Sequence, residues 1–546
     1  MPARPSFSLA RFRPLRDRAT RRPHSEVGRP AAADPDRGRF LSSLRAAAPR
    51  IALVWVLFLA FALRVYDIER NPPELFEDEL AGAASAWSIV TTGHDVGPTH
   101  LPFLVTRLEF KQPIYGFATV PFQAAFGQTI RAVRLPAILF GVLTTWLLYW
   151  LARRLGRRPR EAIVVAGLFA IVPWAVHYGR IGWEPSSVLP FTVAGAGLLF
   201  EGLARHRRRR IVAAAIVFAI GAYAYQPALL LHVAIACALT APHARHLRRR
   251  DLSSLALGAL VAGALLIPYL LALADPVFTS RTASISVFRK GIDLSALGVA
   301  WNHYWAQWDP HFLFFVGTAN LRNEPGMGVL LPVLLPVLPL GILALVLRRH
   351  AADVSVLGWL VIGPLAAALT NDGVPHFARG IFVLPAIVLA CGRGLEAAWM
   401  WASGRRGRLR AVLPIVATGL AAAFVVSLAV SYVFYFTDYP RISGGAWRVG
   451  TAAGMDLVRD RVPPGSLVCI DPAATSYWTF PQFVAWYLPS SSSRVVEGLG
   501  DPRCAAEGSY VLGHADASVP TPALIVAQVT DAAGAPNFVL WRVGGR

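Results

Sequence analysis

Long apolar runs separated by short arginine-rich segments set the pattern of this chain. The first run covers about 51–66, and others follow over about 134–152, 162–178, 186–204, 211–224 and 227–241. They continue over about 252–273, 328–347, 354–370, 380–400 and 411–435, which makes about eleven. A helix rises ~1.5 Å per residue against a hydrocarbon core ~30 Å thick, so runs of this kind predict membrane-spanning helices. The first run has no A-x-A cleavage site, which predicts an uncleaved span and not a signal peptide. Two long segments, 67–132 and 274–327, interrupt the alternation, and within them FATVPFQAAF and WNHYWAQWDPHFLFF predict helices lying in the interface. From about 440 the character changes. AWRVGTAAGMDLVRDRV has helical spacing, and SLVCID, GSYVLGH, PALIVAQV and FVLWRV read as strands bounded by Gly, Pro or Asp. The expected fold is a polytopic α-helical membrane protein with a small C-terminal α/β domain. Its expected parts are a disordered basic tail over 1–48, a membrane domain over 49–438 and the soluble domain over 439–546.

Composition agrees with this reading and charge orients it. Of the 546 residues, 55% are hydrophobic and 16% charged, where a soluble domain carries about 25% charged residues. The net charge of +21 is unevenly placed. Residues 1–50 hold 12 Arg against 4 acidic residues, and five clusters near 153–160, 205–210, 245–250, 348–349 and 405–410 hold 20 more Arg. Each cluster sits at the edge of an apolar run, as cytoplasmic loops do under the positive-inside rule. The charge therefore reports orientation and predicts no nucleic-acid partner. It places the N-terminus in the cytoplasm, and both long segments and the C-terminal domain outside the plasma membrane. An outside location permits a disulfide between Cys469 and Cys504, whereas Cys237 and Cys391 fall in apolar runs.

Candidate chemistry lies in the outer segments. Glu77, Asp78 and Glu79 follow the first span, and three adjacent carboxylates near a membrane surface suit a general base or a metal ligand as well as a solvated acidic loop. Lys111, ahead of Gln112-Pro113-Ile114-Tyr115, suits a lipid phosphate or an interfacial lysine reaching headgroups. Arg180 in HYGRIGWEP, the cations Arg281, Arg289 and Lys290, and His376 with Arg379 in PHFAR lie on the same expected side. His376 and Arg379 are three apart and share a face if a helix starts there. Tyr115 and Trp305, the latter beside Trp301 and Trp308, are the candidate aromatics for a sugar or for the interface itself. The soluble domain has no Gly-rich phosphate loop, so no nucleotide site is assigned.

The acidic run after the first helix, the Lys-x-Pro, AVRLPAILFGVLTTWLLYWLARRLGRR, PWAVHYGRIGWEP, NLRNEPGMG and PHFARGIFVLPAI together resemble family 39 glycosyltransferases. These are GT-C membrane enzymes that include protein O-mannosyltransferases and the lipid A aminoarabinose transferases, and the likeness is to their bacterial branch over about 50–440. The resemblance implies a GT-C-like fold and transfer of a sugar from a polyprenyl-phosphate donor to an acceptor hydroxyl, inverting, at the outer face. The acceptor class, whether glycan, lipid or protein, stays open. It implies Asp78 as catalytic base with Glu79 as its acidic neighbour, and Lys111 on the donor phosphate. Arg180, Arg379 and His376 are the further candidates there, with no metal or other cofactor required. Gln112 stands where the family often has a second Pro, and Glu77 adds a carboxylate before the usual pair, so which acid is the base stays open. Two competing readings are a transporter or flippase of a lipid-linked glycan, and a non-catalytic scaffold whose C-terminal domain binds the wall. Transporters place their site near the midplane between repeated halves, whereas no repeat links the two sets of spans and the charges lie outside.

Overall fold

The computed structural model describes residues 35–95, 112–274, 283–317, 320–322, 326–404, 408–471, 480–488, 494–530 and 536–544. It divides into two compact units, Met1–Ala48 and Pro49–Arg546. In the first, helix α1 (Pro35–Val65) has already begun, so the later part of the expected disordered tail is helical. The account below concerns the second.

Among the described residues, eight helices are long and apolar enough to cross a membrane, including Ala47–Val65, Ile130–Arg154, Arg249–Ala272 and Val412–Thr437. Three expected spans are shorter. The first is the pair α5 (Pro159–Ile171) and α6 (Pro173–Tyr178), broken where Pro173 removes a backbone donor. The others are α8 (Arg208–Ala222) and the segment Pro332–Arg348. Helix termini carry the expected chemistry. Thr129 caps α4 (Ile130–Arg154) by accepting from the Ala132 N–H, and Arg153 and Arg154 occupy its last turn, where the helix dipole favours cations. Helices 337–348 and 384–403 touch backbone to backbone. A Cβ on Gly341 would stand 2.0 Å from the Ala390 carbonyl oxygen, so only glycine fits.

The two ends of the bundle differ. The clusters near 153–160 and 205–210 meet at one, where Glu201 at the end of α7 (Pro185–Ala204) pairs with Arg154, Arg205 and Arg210. At the other end α4 begins, α7 begins and α10 (Arg249–Ala272) finishes. The described part of segment 67–132 contributes α2 (Glu77–Thr92) and α3 (Pro113–Phe126) there. Gly93, at φ +77°, ends α2 in the left-handed conformation that glycine adopts without strain.

Five strands form one sheet in the order β2-β1-β3-β5-β4: β1 (Val468–Ile470), β2 (Val495–Glu497), β3 (Tyr510–His514), β4 (Ala523–Thr530) and β5 (Pro536–Val543). β1 pairs parallel with β2 and β3, and β5 runs antiparallel between β3 and β4. Strand β2, three residues long, was not foreseen. The sheet does not stand apart from the membrane domain, because Leu75, Leu80, Ala83 and Val133 share one buried core with Met455, Phe483, Leu512 and Leu540. Cys469 and Cys504 form a disulfide across 35 residues. Closing a loop of that length removes unfolded-state entropy of roughly 3–4 kcal/mol at 25 °C. Cys504→Ser is therefore expected to expose the sheet to protease at lower urea than wild type. Identical protection of the two proteins would remove the disulfide from the stability of this region.

Candidate functional site

The site is organised by two buried arginines, Arg134 and Arg180. Arg134, in the second turn of α4 and fully buried, donates to the carbonyls of Ile68, Pro72 and Glu74. Its Nε and Nη2 grip the two carboxylate oxygens of Glu79, each at 3.1 Å. Arg180 donates to the carbonyls of Leu63, Arg64, Asp67 and Asn71. These bonds satisfy backbone acceptors, and the connection from α1 to α2 is wound around two guanidinium forks. Glu79 also accepts from the Gly182 N–H at 2.5 Å and from the Phe76 N–H at 3.4 Å. Burial holds the nearby Glu74 carboxyl above the usual carboxylate range, although the Leu75 N–H and Arg134 pull the other way.

Successive helical residues point about 100° apart, so the three adjacent acids of α2 meet different surroundings. Glu79 turns inward to Arg134. Glu77 turns to Arg322 at 2.9 Å and to Arg448 at 2.7 Å. Trp447, next to Arg448, is fully buried against Phe76, and its indole N–H donates to the Tyr439 hydroxyl. The segment after the last span therefore closes over the start of α2. Asp78 alone of the three lines a cavity of ≈590 Å³. Carboxylates at the first turn also suit the positive end of the helix dipole.

The cavity places Asp78 with Gln112, Trp183, Glu184, Tyr225 and Arg379. Arg379 reaches Thr370 Oγ1 at 3.1 Å and Asp372 Oδ2 at 3.0 Å. Its own segment is held to residues 285–287, since the Val287 N–H donates to the Leu369 carbonyl and the Asn371 N–H to that of Ile285. Glu184 accepts from the Gln112 N–H at 2.7 Å, and the Gln112 amide donates to the Tyr269 hydroxyl at 3.2 Å. One wall is apolar, formed by Leu229, Leu230 and Val233 of α9 (Ala228–Thr240). Leu229 and Val233 also line a second, almost wholly apolar groove of ≈540 Å³ between α8, α9 and α10.

Of the residues singled out from sequence, the structure brings Asp78 and Arg379 to this cavity. Glu79 is instead enclosed by Arg134, and Arg180 is spent on carbonyls at the end of α1. His376 stands behind the wall, its Nδ1 accepting from the Arg379 N–H at 3.3 Å as the cap of a short helix. Tyr115 is buried with its hydroxyl on the Val133 carbonyl. Trp305 is exposed on the helix Leu294–Ala306, edge-on to Trp301 and Tyr304. Lys111 and Arg281 lie outside the described residues. Among the described residues, no three His, Cys, Asp or Glu side chains converge as a metal-binding group. Sequence reasoning passed over Glu184, Gln112 and Tyr225. The signal for Glu184 was a carboxylate directly before Pro185, at the start of a span.

Comparison with known proteins places this arrangement. Residues 111–271 match the model of the dolichyl-phosphate-mannose-protein mannosyltransferase family. Over 161 residues the chain is 29% identical to the undecaprenyl phosphate-alpha-4-amino-4-deoxy-L-arabinose arabinosyl transferase of Pseudomonas aeruginosa (strain LESB58), a match spanning 29% of this chain and 28% of that relative's length. The crystal structure of ArnT from Cupriavidus metallidurans bound to undecaprenyl phosphate superposes with a TM-score of 0.60 at 15% identity, covering 92% of this chain and 100% of that one. The apo oligosaccharyltransferase of Archaeoglobus fulgidus gives a TM-score of 0.50 at 14% identity, over 85% of this chain and 66% of that one. The chain thus shares the fold of these two structures, and over residues 111–271 it matches the dolichyl-phosphate-mannose-protein mannosyltransferase family.

Proposed function

We propose that this chain transfers a sugar from a polyprenyl-phosphate carrier to an acceptor hydroxyl, with Asp78 as general base. The observation that carries the reading is the separation of the acidic run: Asp78 faces a cavity while arginines engage both neighbours. In the reaction the acceptor oxygen attacks the anomeric carbon, its proton passes to the Asp78 carboxylate, and the bond from that carbon to the phosphate oxygen breaks. A single displacement inverts the anomeric centre. The leaving phosphate needs its charge neutralised more than it needs a proton. Arg379 on the cavity wall is placed for that, with Lys111 added by family resemblance. The apolar groove reached through Leu229 and Val233 suits the polyprenyl chain, and membrane confinement raises the donor's effective concentration. The cavity lies at helix termini at one end of the bundle, unlike the midplane sites of transporters. The arginine-bearing end is assigned to the cytoplasm and the Asp78 end to the outside, in keeping with a disulfide in the sheet joined to it.

Purified protein in lipid, given an acceptor and a panel of polyprenyl-phosphate sugars, is expected to release polyprenyl phosphate with one of them. Absence of release across hexose, pentose and amino-sugar donors, with the protein folded, would overturn the reading. The scheme uses no divalent metal. Turnover abolished by EDTA and restored by Mg²⁺ would replace that part of it.

A further inference from the structure

The end of the bundle opposite Asp78 holds a second cavity, of ≈870 Å³, between α4, α5 and the helices 337–348, 351–362 and 384–403. Helix α4, 25 residues long, separates the two sites by roughly 37 Å at ~1.5 Å per residue. Nothing in the proposed transfer uses this second cavity.

Three guanidinium groups converge there on two carboxylates. Arg157 donates to Asp353 Oδ1 at 3.3 Å and to Glu396 Oε2 at 3.2 Å. Arg393 donates to Asp353 Oδ1 at 2.7 Å and also to Glu396, and Arg348 reaches Glu396 Oε1 at 3.4 Å. Arg158 and Arg160 line the same cavity with Glu161 and His350, so it holds five Arg against three acids. The buried Arg157 and Arg393 are matched by Asp353 and Glu396, so the excess positive charge lies on the exposed Arg158, Arg160 and Arg348 at the mouth, where it attracts an anion. Two atoms sharpen the need. Arg393, 7% exposed, has an Nε–H without a hydrogen-bond acceptor, and the buried Asp353 Oδ2 has no donor. An occupant that satisfies both carries an anionic oxygen and a hydroxyl. The rim supplies the rest of the description. Leu395 and Met400 are exposed beside it, and Trp399 is 75% exposed, as a residue facing the headgroup zone of a bilayer is.

We propose that this cavity binds the headgroup of an anionic phospholipid, with its phosphate diester on Arg157, Arg348 and Arg393 and its acyl chains along Leu395 and Trp399. A headgroup hydroxyl, as in a glycerol headgroup, donates to Asp353. Basic pockets between helices at a cytoplasmic face take such headgroups. The occupant is a lipid and not free phosphate, because the cavity opens beside an apolar rim.

The test uses the full chain in nanodiscs. Phosphatidylglycerol is expected to persist as a bound adduct in native mass spectrometry at least about fivefold over phosphatidylcholine, and to raise the melting temperature above that in phosphatidylcholine. Arg348→Gln with Arg158→Gln is expected to abolish that preference while leaving the melting temperature in phosphatidylcholine unchanged. A photoactivatable phosphatidylglycerol on the wild-type chain, which needs no variant, is expected to label peptides covering 157–164 and 393–400. Labelling elsewhere, equal retention of the two lipids, or an equal thermal shift from inorganic phosphate alone would each overturn the proposal.

Discussion

Asp78→Asn is expected to lower turnover by a factor of roughly 10²–10⁴, the usual contribution of a positioned general base. The substitution keeps the shape of a side chain that lines the cavity and removes its ability to take the acceptor proton. Folding should therefore be preserved, with a melting temperature within about a degree of wild type. Donor binding, read as retention of polyprenyl phosphate, should also persist, since the lipid chain and Arg379 are untouched. The discriminating measurement is single-turnover transfer with donor saturating, where lost chemistry and lost binding separate. A variant that transfers sugar at the wild-type rate would remove Asp78 from the base position.

Glu79→Gln is expected to behave in the opposite way. Glu79 is fully buried and engaged by Nε and Nη2 of Arg134. Neutralising one partner leaves a buried guanidinium without its counter-charge, which costs about 3–5 kcal/mol. The same change weakens the acceptor for the Gly182 N–H. The variant should show a melting temperature lower by several degrees and a poor yield of folded protein. The protein that does fold should keep a substantial share of its activity per molecule. A normal melting temperature combined with abolished turnover would return Glu79 to the catalytic role that the sequence suggested.

These two neighbours show what could and could not be read from sequence. Apolar runs and arginine clusters are local features fixed by the bilayer, and among the described residues eight of the eleven expected spans fall on helices long and apolar enough to cross it, the other three on shorter or broken helices. The strands of the C-terminal sheet were visible wherever they alternate or run apolar between turn residues. Three-residue β2 is too short to carry such a pattern. The fate of the acidic run, by contrast, depends on residues far along the chain. Arg134 takes Glu79, and Arg322 and Arg448 take Glu77, across separations of 55, 245 and 371 residues. No periodicity links such positions. Arg180 illustrates the same limit, since a lone outer cation looks identical on paper whether it meets a phosphate or four backbone carbonyls. Glu184 and Gln112 entered the site because α3 and α7 both begin there.

The partnership of Glu77 with Arg448 bears on how the protein comes into being. Synthesis runs from the N-terminus, and Arg448 follows the last span, whose helix ends at Thr437. Every span has thus left the ribosome before the start of α2 receives its final cation and Trp447 seals against Phe76. The contacts that close over the start of α2 therefore form only after the spans that precede Arg448 have been made.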